Sequence, residues 1–101
     1  MHVISVDEHK GVFFKILATT DKTQVGVMTL KPGGDSGPED IHTGDQILYI
    51  IEGTARLVVS SEDIRIQKGE ALIIPTKAKH HIYNDGDTEL FFLTMYAPPQ
   101  Y

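Results

Sequence analysis

Four polar side chains in the middle of the chain have types and spacing suited to metal binding. Asp40 and His42 are separated by one residue, Gln46 follows shortly after, and His80 lies nearly forty residues downstream. Side chains two residues apart in a strand point to the same face, so Asp40 and His42 lie on one face of their strand. If the strands that carry these four residues are neighbours and turn these side chains inward, a carboxylate, two imidazoles and a carboxamide converge on one pocket.

Such a pocket offers the donor groups that divalent transition metals prefer. Carboxylate and neutral imidazole suit Mn, Fe, Ni, Zn and Cu, and two histidines with one carboxylate are typical of non-haem iron sites. One carboxylate against a divalent cation leaves a net charge near +1, which suits an anionic or oxygen-rich ligand at an open coordination position. We therefore expect one divalent metal ion, with Mn, Fe, Ni or Zn favoured over Cu.

The elements that must position these side chains are β-strands. Short segments rich in β-branched and aromatic residues are separated by turn-forming residues, and no stretch has the apolar repeat of an amphipathic helix. About eight to ten strands must bury an apolar face without helices, which leaves a sandwich or a closed barrel. The predicted strands are Val12–Leu17, Gln24–Leu30, Gln46–Ile51, Ala55–Val59, Ile64–Ile66, Leu72–Ile74, His80–Tyr83 and Glu89–Tyr96.

Two turns are predicted from residues that tolerate tight backbone bends. Asn84–Asp87 reads Asn-Asp-Gly-Asp between two strands, which is a strong hairpin signal. Ser60–Asp63 is a weaker turn of the same kind. The two prolines after Ala97 end the last strand, because proline cannot donate to the hydrogen-bond ladder.

Two glycine-led patterns surround the candidate ligands. The chain reads Gly34-x5-Asp40-x-His42-x3-Gln46-x6-Gly53, followed by Gly69-x5-Pro75-x-Lys77-x2-His80-x3-Asn84. These resemble the two motifs of the cupin family, which normally read G-x5-H-x-H-x3,4-E-x6-G and G-x5-P-x-G-x2-H-x3-N. The likeness covers residues 34–84, half of the chain, and is that of a small single-domain cupin.

The resemblance implies an all-β cupin jelly-roll β-barrel over residues 1–101, with a metal near its centre. Carried over by position, His42 fills the second histidine of the first motif and His80 the histidine of the second. Asp40 replaces the first histidine and Gln46 the glutamate, a pattern similar to that of some small cupins. The implied metal ligands are therefore Asp40, His42, Gln46 and His80.

Each candidate also has a purely structural interpretation. A buried histidine can hydrogen-bond to the backbone, and Asp40 can cap a turn in its Gly/Pro-rich loop. Gln46 is a direct ligand, an amide that orients a metal-bound water, or a satisfied buried amide. Glu39 is a competing carboxylate, and His81 has the opposite parity in its strand. Lys77 stands where the second motif has glycine. If that position requires a positive φ, the Lys77 backbone is strained by about 1–3 kcal/mol.

Composition argues against several function classes. The 9 Lys+Arg and 14 Asp+Glu give a formal charge of -5 with no basic stripe, so no nucleic-acid partner is expected. Apolar runs of about five residues are far shorter than the roughly 20 that a membrane helix needs, so no membrane association is expected. The chain has no cysteine. Its N-terminus lacks a signal-peptide pattern, which favours a cytoplasmic location.

Three function classes stay open. The first is a metal-dependent enzyme acting on a small oxygenated organic molecule as a dioxygenase, decarboxylase, isomerase or lyase, with Asp40 or Glu52 exchanging protons. The second is a non-catalytic module that binds a sugar or an organic acid, which a basic residue inside the barrel, Arg56 or Lys15, would favour. The third is a structural protein whose metal only ties strands together.

The strand that begins at Gln46 is apolar on both faces. Leu48 and Ile50 share one face, while Ile47, Tyr49 and Ile51 share the other. A barrel wall turns only one face inward, so the second apolar face is expected to be covered by another copy of the chain. The sequence therefore predicts a homodimer.

Overall fold

A computed structural model describes residues 1–101, and eight strands carry nearly all of the regular structure. Every predicted strand is confirmed, with ends that differ by two residues or fewer. A 3-10 helix, Val6–His9, precedes them, and no helix has the length and hydrophobicity needed to span a bilayer. The strands are β1 (Phe14–Thr19), β2 (Gln24–Leu30), β3 (Asp45–Glu52), β4 (Thr54–Val59), β5 (Glu62–Gln67), β6 (Ala71–Ile74), β7 (His80–Tyr83) and β8 (Leu90–Ala97).

The strands form two antiparallel sheets that pack against each other. The larger sheet has the strand order β1-β2-β8-β3-β6, and the smaller has the order β5-β4-β7. Strands that neighbour each other in space without being consecutive, such as β2 and β8, are typical of a jelly roll. The expected all-β jelly-roll fold is confirmed.

The hydrophobic core lies between the inner faces of the two sheets. Leu48 and Ile50 of β3 are completely buried and belong to one cluster with Leu57 of β4 and Ile82 of β7. Tyr49, between them in sequence, is 42% exposed, so the two faces of β3 differ as predicted. Each fully buried aliphatic side chain contributes about 1.5–3 kcal/mol. The core thereby fixes the register of β3, because a slip of one residue would expose its inner face.

The outer face of the larger sheet carries a second apolar surface around β3. Ile47 lies opposite Ile73 of β6 and Met95 of β8, and Tyr49 lies opposite Leu93 of β8. Ile73 is 63% exposed, so this surface is open to solvent in the single chain. We call the surface formed by Ile47, Tyr49, Ile73, Leu93 and Met95 the outer β3 surface.

One of the two hairpin predictions is wrong. Asn84–Asp87 connects β7 to β8, which belong to different sheets, so the segment bends the chain between sheets instead of closing a hairpin. The Asn84 side chain is buried and donates to the carbonyl oxygens of Leu30 at 2.9 Å and Thr88 at 2.8 Å. The weaker prediction is confirmed, since β4 and β5 form a hairpin with Val59 opposite Glu62.

Candidate metal centre

Asp40 is brought to the site by backbone pairing with β7. The loop between β2 and β3 runs antiparallel to that strand and forms isolated bridges between Asp40 and His80 and between Asp35 and Tyr83. The Asp40 N–H donates to the His80 carbonyl oxygen, and the His80 N–H donates to the Asp40 carbonyl oxygen, both at 2.9 Å. This reciprocal pair sets two candidate ligands side by side on neighbouring segments.

His42 follows Asp40 on the same extended loop, and its imidazole is buried with 5% exposure. Its Nε2 lies 3.2 Å from Asp40 Oδ2, so the two side chains do converge as their parity predicts. The imidazole ring centre is 4.8 Å from that of His80. The two histidines, far apart in the sequence, therefore meet inside the barrel.

The segment that leads into β7 is tied to His42 through a left-handed residue. Lys77 has a φ of 63°, so the position where the second motif has glycine does adopt the backbone that glycine favours. The Lys77 N–H donates to the His42 carbonyl oxygen at 2.8 Å. The strain at Lys77 thus accompanies a bond that fixes the two histidine-bearing segments relative to each other.

His80 is held in one orientation by the backbone. Its Nδ1 lies 3.1 Å from the Ala78 carbonyl oxygen, so Nδ1 carries the proton and donates it, leaving the Nε2 lone pair free to bind a metal. Burial lowers the pKa of His80, and the nearby His42 lowers it further, against the raising effects of the Ala78 bond and the Asp40 charge. A neutral imidazole is the form that a metal needs.

The Asp40 side chain lies at the mouth of the site and is ionised. Burial raises its pKa, but the hydrogen bond from the Ile41 N–H at 2.8 Å and the neighbouring His42 outweigh burial, so the pKa of Asp40 lies below its usual value. The carboxylate also accepts a hydrogen bond from the Tyr101 hydroxyl at 3.3 Å. Asp40 therefore brings a full negative charge to the two imidazoles.

Gln46 is buried on the inner face of β3, with 3% exposure. Its Nε2 donates to Thr94 Oγ1 of the neighbouring strand at 2.9 Å, while its Oε1 has no hydrogen-bond partner. A buried carbonyl oxygen without a partner costs about 1–3 kcal/mol. Within the chain, the nitrogen end of the Gln46 amide is satisfied and the oxygen end is available to a metal ion or to a water molecule.

These four side chains line one cavity of about 140 Å³. Asp40, His42 and His80 each offer a donor atom, and the three atoms lie within 4.8 Å of one another. This donor set fits a divalent transition metal. The unpartnered Oε1 of Gln46 is a fourth donor atom in the same cavity. The remaining lining residues are mostly apolar or aromatic: Phe13, Phe14, Met28, Ser36, Pro38, Ile82, Tyr96 and Tyr101.

Tyr96 and Tyr101 are two cavity residues that the sequence interpretation missed. Tyr96 shares its parity in β8 with the buried Thr94, so the alternation could have indicated that it faces inward. Its ring lies edge-on to His42 at 5.2 Å. Tyr101 follows the end of β8, where no strand pattern applies, and it carries no sequence signal of its role.

Several other candidates lie away from the cavity. Glu52 pairs with Lys10, so it is not placed to exchange protons with a ligand there. Arg56 forms a surface ion pair with Asp63 at 2.6 Å. Lys15 is exposed and Arg56 also lies outside, so no lysine or arginine side chain lines the cavity.

Two further residues near the ligands in sequence also stay outside. Glu39 is exposed and does not line the cavity. His81 turns away from His80, with its Nδ1 3.0 Å from the Tyr83 hydroxyl and its Nε2 3.3 Å from Asp35 Oδ1. The parity that separates His81 from His80 in the sequence is therefore confirmed.

Comparison with known proteins connects this geometry to a family. Residues 26–96 match the family model for the cupin domain. Uncharacterized protein MJ1618 of Methanocaldococcus jannaschii is 34% identical over 58 residues, which are 57% of this chain and 46% of that protein. Tetracenomycin polyketide synthase protein TcmJ of Streptomyces glaucescens is 36% identical over 64 residues, 62% of this chain and 42% of that protein. The chain thus spans about half the length of the curated relatives that it matches.

A solved structure is similar to nearly the whole chain. BH2720 from Bacillus halodurans superposes with a TM-score of 0.90 at 27% identity, covering 99% of this chain and 83% of that one. The superposition includes the strands before and after the two motifs, and the family match covers most of the chain. The chain belongs to the cupin family.

Proposed function

We propose that this cupin is a metal-dependent enzyme that acts on a small oxygenated organic molecule, with Asp40, His42, Gln46 and His80 as the metal ligands. The observation that supports it most is the cluster of one carboxylate and two imidazoles within 4.8 Å, set in a cavity. The reaction would be of the dioxygenase, decarboxylase, isomerase or lyase type. The metal, Mn, Fe, Ni or Zn, would supply Lewis-acid or oxygen-binding chemistry.

In this proposal, protein groups orient the ligand side chains and partly neutralise the charge of the metal. The Ala78 carbonyl oxygen holds His80 in the tautomer that presents Nε2, and Thr94 holds the Gln46 amide so that Oε1 is free. Asp40 supplies the one formal negative charge among the four ligands, so a divalent centre keeps a net charge near +1. That charge favours an anionic or oxygen-rich substrate, and no lysine or arginine side chain in the cavity competes with the metal for such a substrate.

Cavity size limits the substrate. A volume of about 140 Å³ is close to the roughly 150 Å³ of an engineered protein cavity that holds one benzene molecule. Because the metal would occupy part of this volume, we infer that the portion of the substrate inside the cavity has no more than about six non-hydrogen atoms. Phe14, Met28 and Ile82 would contact its carbon skeleton. The relative TcmJ is named as a polyketide synthase protein, and polyketides are oxygenated organic molecules.

A non-catalytic module that binds a sugar or an organic acid at the metal is the alternative. It is favoured by the position of Glu52, which leaves Asp40 as the one carboxylate lining the cavity. If Asp40 is occupied by the metal, it is less available to move protons. Single-turnover measurements on a panel of small hydroxy and keto acids separate the two functions: binding without chemical change favours the module.

We further propose that the chain acts as one domain in the cytoplasm and forms a homodimer. The outer β3 surface supports the dimer, because Ile73 and Tyr49 leave apolar area exposed in the single chain. A second copy seated there would remove this area from water. Light scattering measures the mass directly.

Elemental analysis of untagged protein tests the metal centre. We expect about one equivalent of a divalent transition metal in the wild type and its loss in the double variant His42→Ala/His80→Ala, with the β-sheet circular dichroism retained. His2→Ala/His9→Ala is the matched control, because it also removes two imidazoles but neither of them lines the cavity. Equal metal content in both double variants would contradict the proposal.

A further inference from the structure

The Tyr101 hydroxyl lies against the candidate ligands although neither motif includes this residue. It is 3.3 Å from His42 Nε2 and 3.3 Å from Asp40 Oδ2, and those two atoms are 3.2 Å apart. The three atoms therefore form a nearly equilateral triangle. Two of its corners are donor atoms of the proposed metal centre.

The size of this triangle matches one face of a metal coordination shell. Metal–nitrogen and metal–oxygen bonds are about 2.1 Å long, so adjacent donors are about 3.0 Å apart in an octahedral shell and about 3.4 Å apart in a tetrahedral one. The observed separations fall between these values. A cation about 0.9 Å from the plane of the triangle would lie about 2.1 Å from all three atoms.

Tyr101 is held in this position by contacts that do not depend on a metal. Gln24, with 1% exposure, accepts hydrogen bonds from the Gln100 N–H at 3.0 Å and the Tyr101 N–H at 2.9 Å. The Gln24 Nε2 donates to the Tyr101 carbonyl oxygen at 2.6 Å. The Tyr101 ring packs edge-on against Phe14 and Tyr96, with ring centres 5.2 Å apart in both pairs. These contacts therefore hold the Tyr101 hydroxyl beside Asp40 and His42 before any metal binds.

We propose that the Tyr101 hydroxyl oxygen is a further ligand of the metal. The proposal rests on the metal centre described above and adds one donor to it. When the metal binds, an oxygen lone pair forms the new bond and the phenolic proton leaves to the buffer. With Asp40, the phenolate balances both charges of a divalent ion, so Tyr101 would lower the net charge of the four-ligand centre from near +1 to near zero, and an oxygen-rich neutral ligand would then be favoured over an anionic one. Five protein donors leave one open position in a six-coordinate shell.

Iron(III) is the probe that tests this assignment, because phenolate bound to iron(III) gives a visible charge-transfer band. We expect the iron-loaded wild-type chain to show the band and Tyr101→Phe to lose it while keeping its fold, since the ring remains. Zinc affinity measured by competition titration should fall by about 10–100-fold in the same variant. Tyr96→Phe tests the other tyrosine near His42, and Tyr49→Phe tests a surface tyrosine. Both should retain the band.

The outcomes separate this proposal from the metal centre itself. An iron-loaded wild type without the band, or a band that survives Tyr101→Phe, overturns the Tyr101 assignment alone, provided that binding still requires His42 and His80. Unchanged zinc affinity in Tyr101→Phe overturns it as well. A chain that binds neither iron nor zinc overturns both proposals.

Discussion

Replacing Gln46 with leucine separates the stability of the metal-free fold from the affinity of the metal centre. In the metal-free chain the substitution removes the bond to Thr94, worth about 0.5–1.5 kcal/mol, and also removes the unpartnered Oε1, which costs about 1–3 kcal/mol. The two effects nearly cancel or leave a gain. We expect the metal-free free energy of unfolding to stay the same or to rise by about 1 kcal/mol.

The metal-loaded protein should respond in the opposite direction. Loss of one ligand that weakens binding tenfold removes about 1.4 kcal/mol of metal-linked stabilisation. Set against the metal-free gain of up to about 1 kcal/mol, the net loss of about 0.4–1.4 kcal/mol lowers the loaded Tm by about 2–11 °C relative to wild type for a domain of this size. The assay is differential scanning calorimetry with a chelator and then with saturating zinc. It is paired with a competition titration for affinity.

Gln24→Leu is the matched control for the metal-free measurement, because Gln24 is also a buried glutamine but both ends of its amide are satisfied. It makes four hydrogen bonds, three of them to the backbone of residues 100 and 101. Its loss should lower the metal-free free energy of unfolding by about 2–5 kcal/mol. If Gln46→Leu instead destabilises the metal-free chain by a similar amount and leaves zinc affinity unchanged, Gln46 is structural and the reasoning is refuted.

Three further predictions concern the turn before β7, the response to pH and the outer surface. Lys77→Gly should raise the free energy of unfolding by about 0.5–1 kcal/mol in urea titrations. Glycine relieves about 1–2 kcal/mol of strain at positive φ, and this relief exceeds the cost of about 0.4–1 kcal/mol from the added entropy of the unfolded chain. The control Lys79→Gly should lower the free energy of unfolding. The metal-free protein should lose stability as pH falls below about 6.5, since the folded state holds the pKa of His80 below that of the unfolded chain and so resists protonation. Thermal melts between neutral and acidic pH measure this loss, and a slope that stays the same in His80→Asn would contradict it. Ile73→Asp should convert the proposed dimer to a monomer in light scattering, whereas Val12→Asp, at a 41% exposed position before β1, should not.

Local patterns predict the strands because their cause is local. The alternation in β3 makes Leu48 and Ile50 face one way and Tyr49 the other, and burial in the core follows that alternation. The same period of two predicts that His80 and His81 separate. Elements whose side chains alternate between core and solvent were therefore predictable to within two residues at each end.

Pairing between distant segments could not be predicted in the same way. Asn84–Asp87 has the residues of a hairpin, yet it joins strands of different sheets, because strand partners are chosen by packing across the whole barrel. The approach of Asp40 to His80 depends on a bridge between a loop and β7. The sequence indicated this approach only through the spacing of the two motifs.

The cavity wall contributed by Tyr101 was beyond any sequence pattern. The residue follows the end of β8, and its position depends on hydrogen bonds to Gln24 in β2, more than seventy residues away in the chain. Residues that follow the last strand have no alternation of apolar and polar side chains to interpret. Its contact with the site is visible only once the barrel has closed.

Anomalous diffraction from crystals grown with manganese or zinc tests the metal centre most directly. We predict one strong anomalous peak in the cavity, about 2.0–2.3 Å from Asp40 Oδ2 and from one ring nitrogen each of His42 and His80. A peak elsewhere, or no peak while Asp40 Oδ2 still lies against His42 Nε2, would contradict the proposed centre.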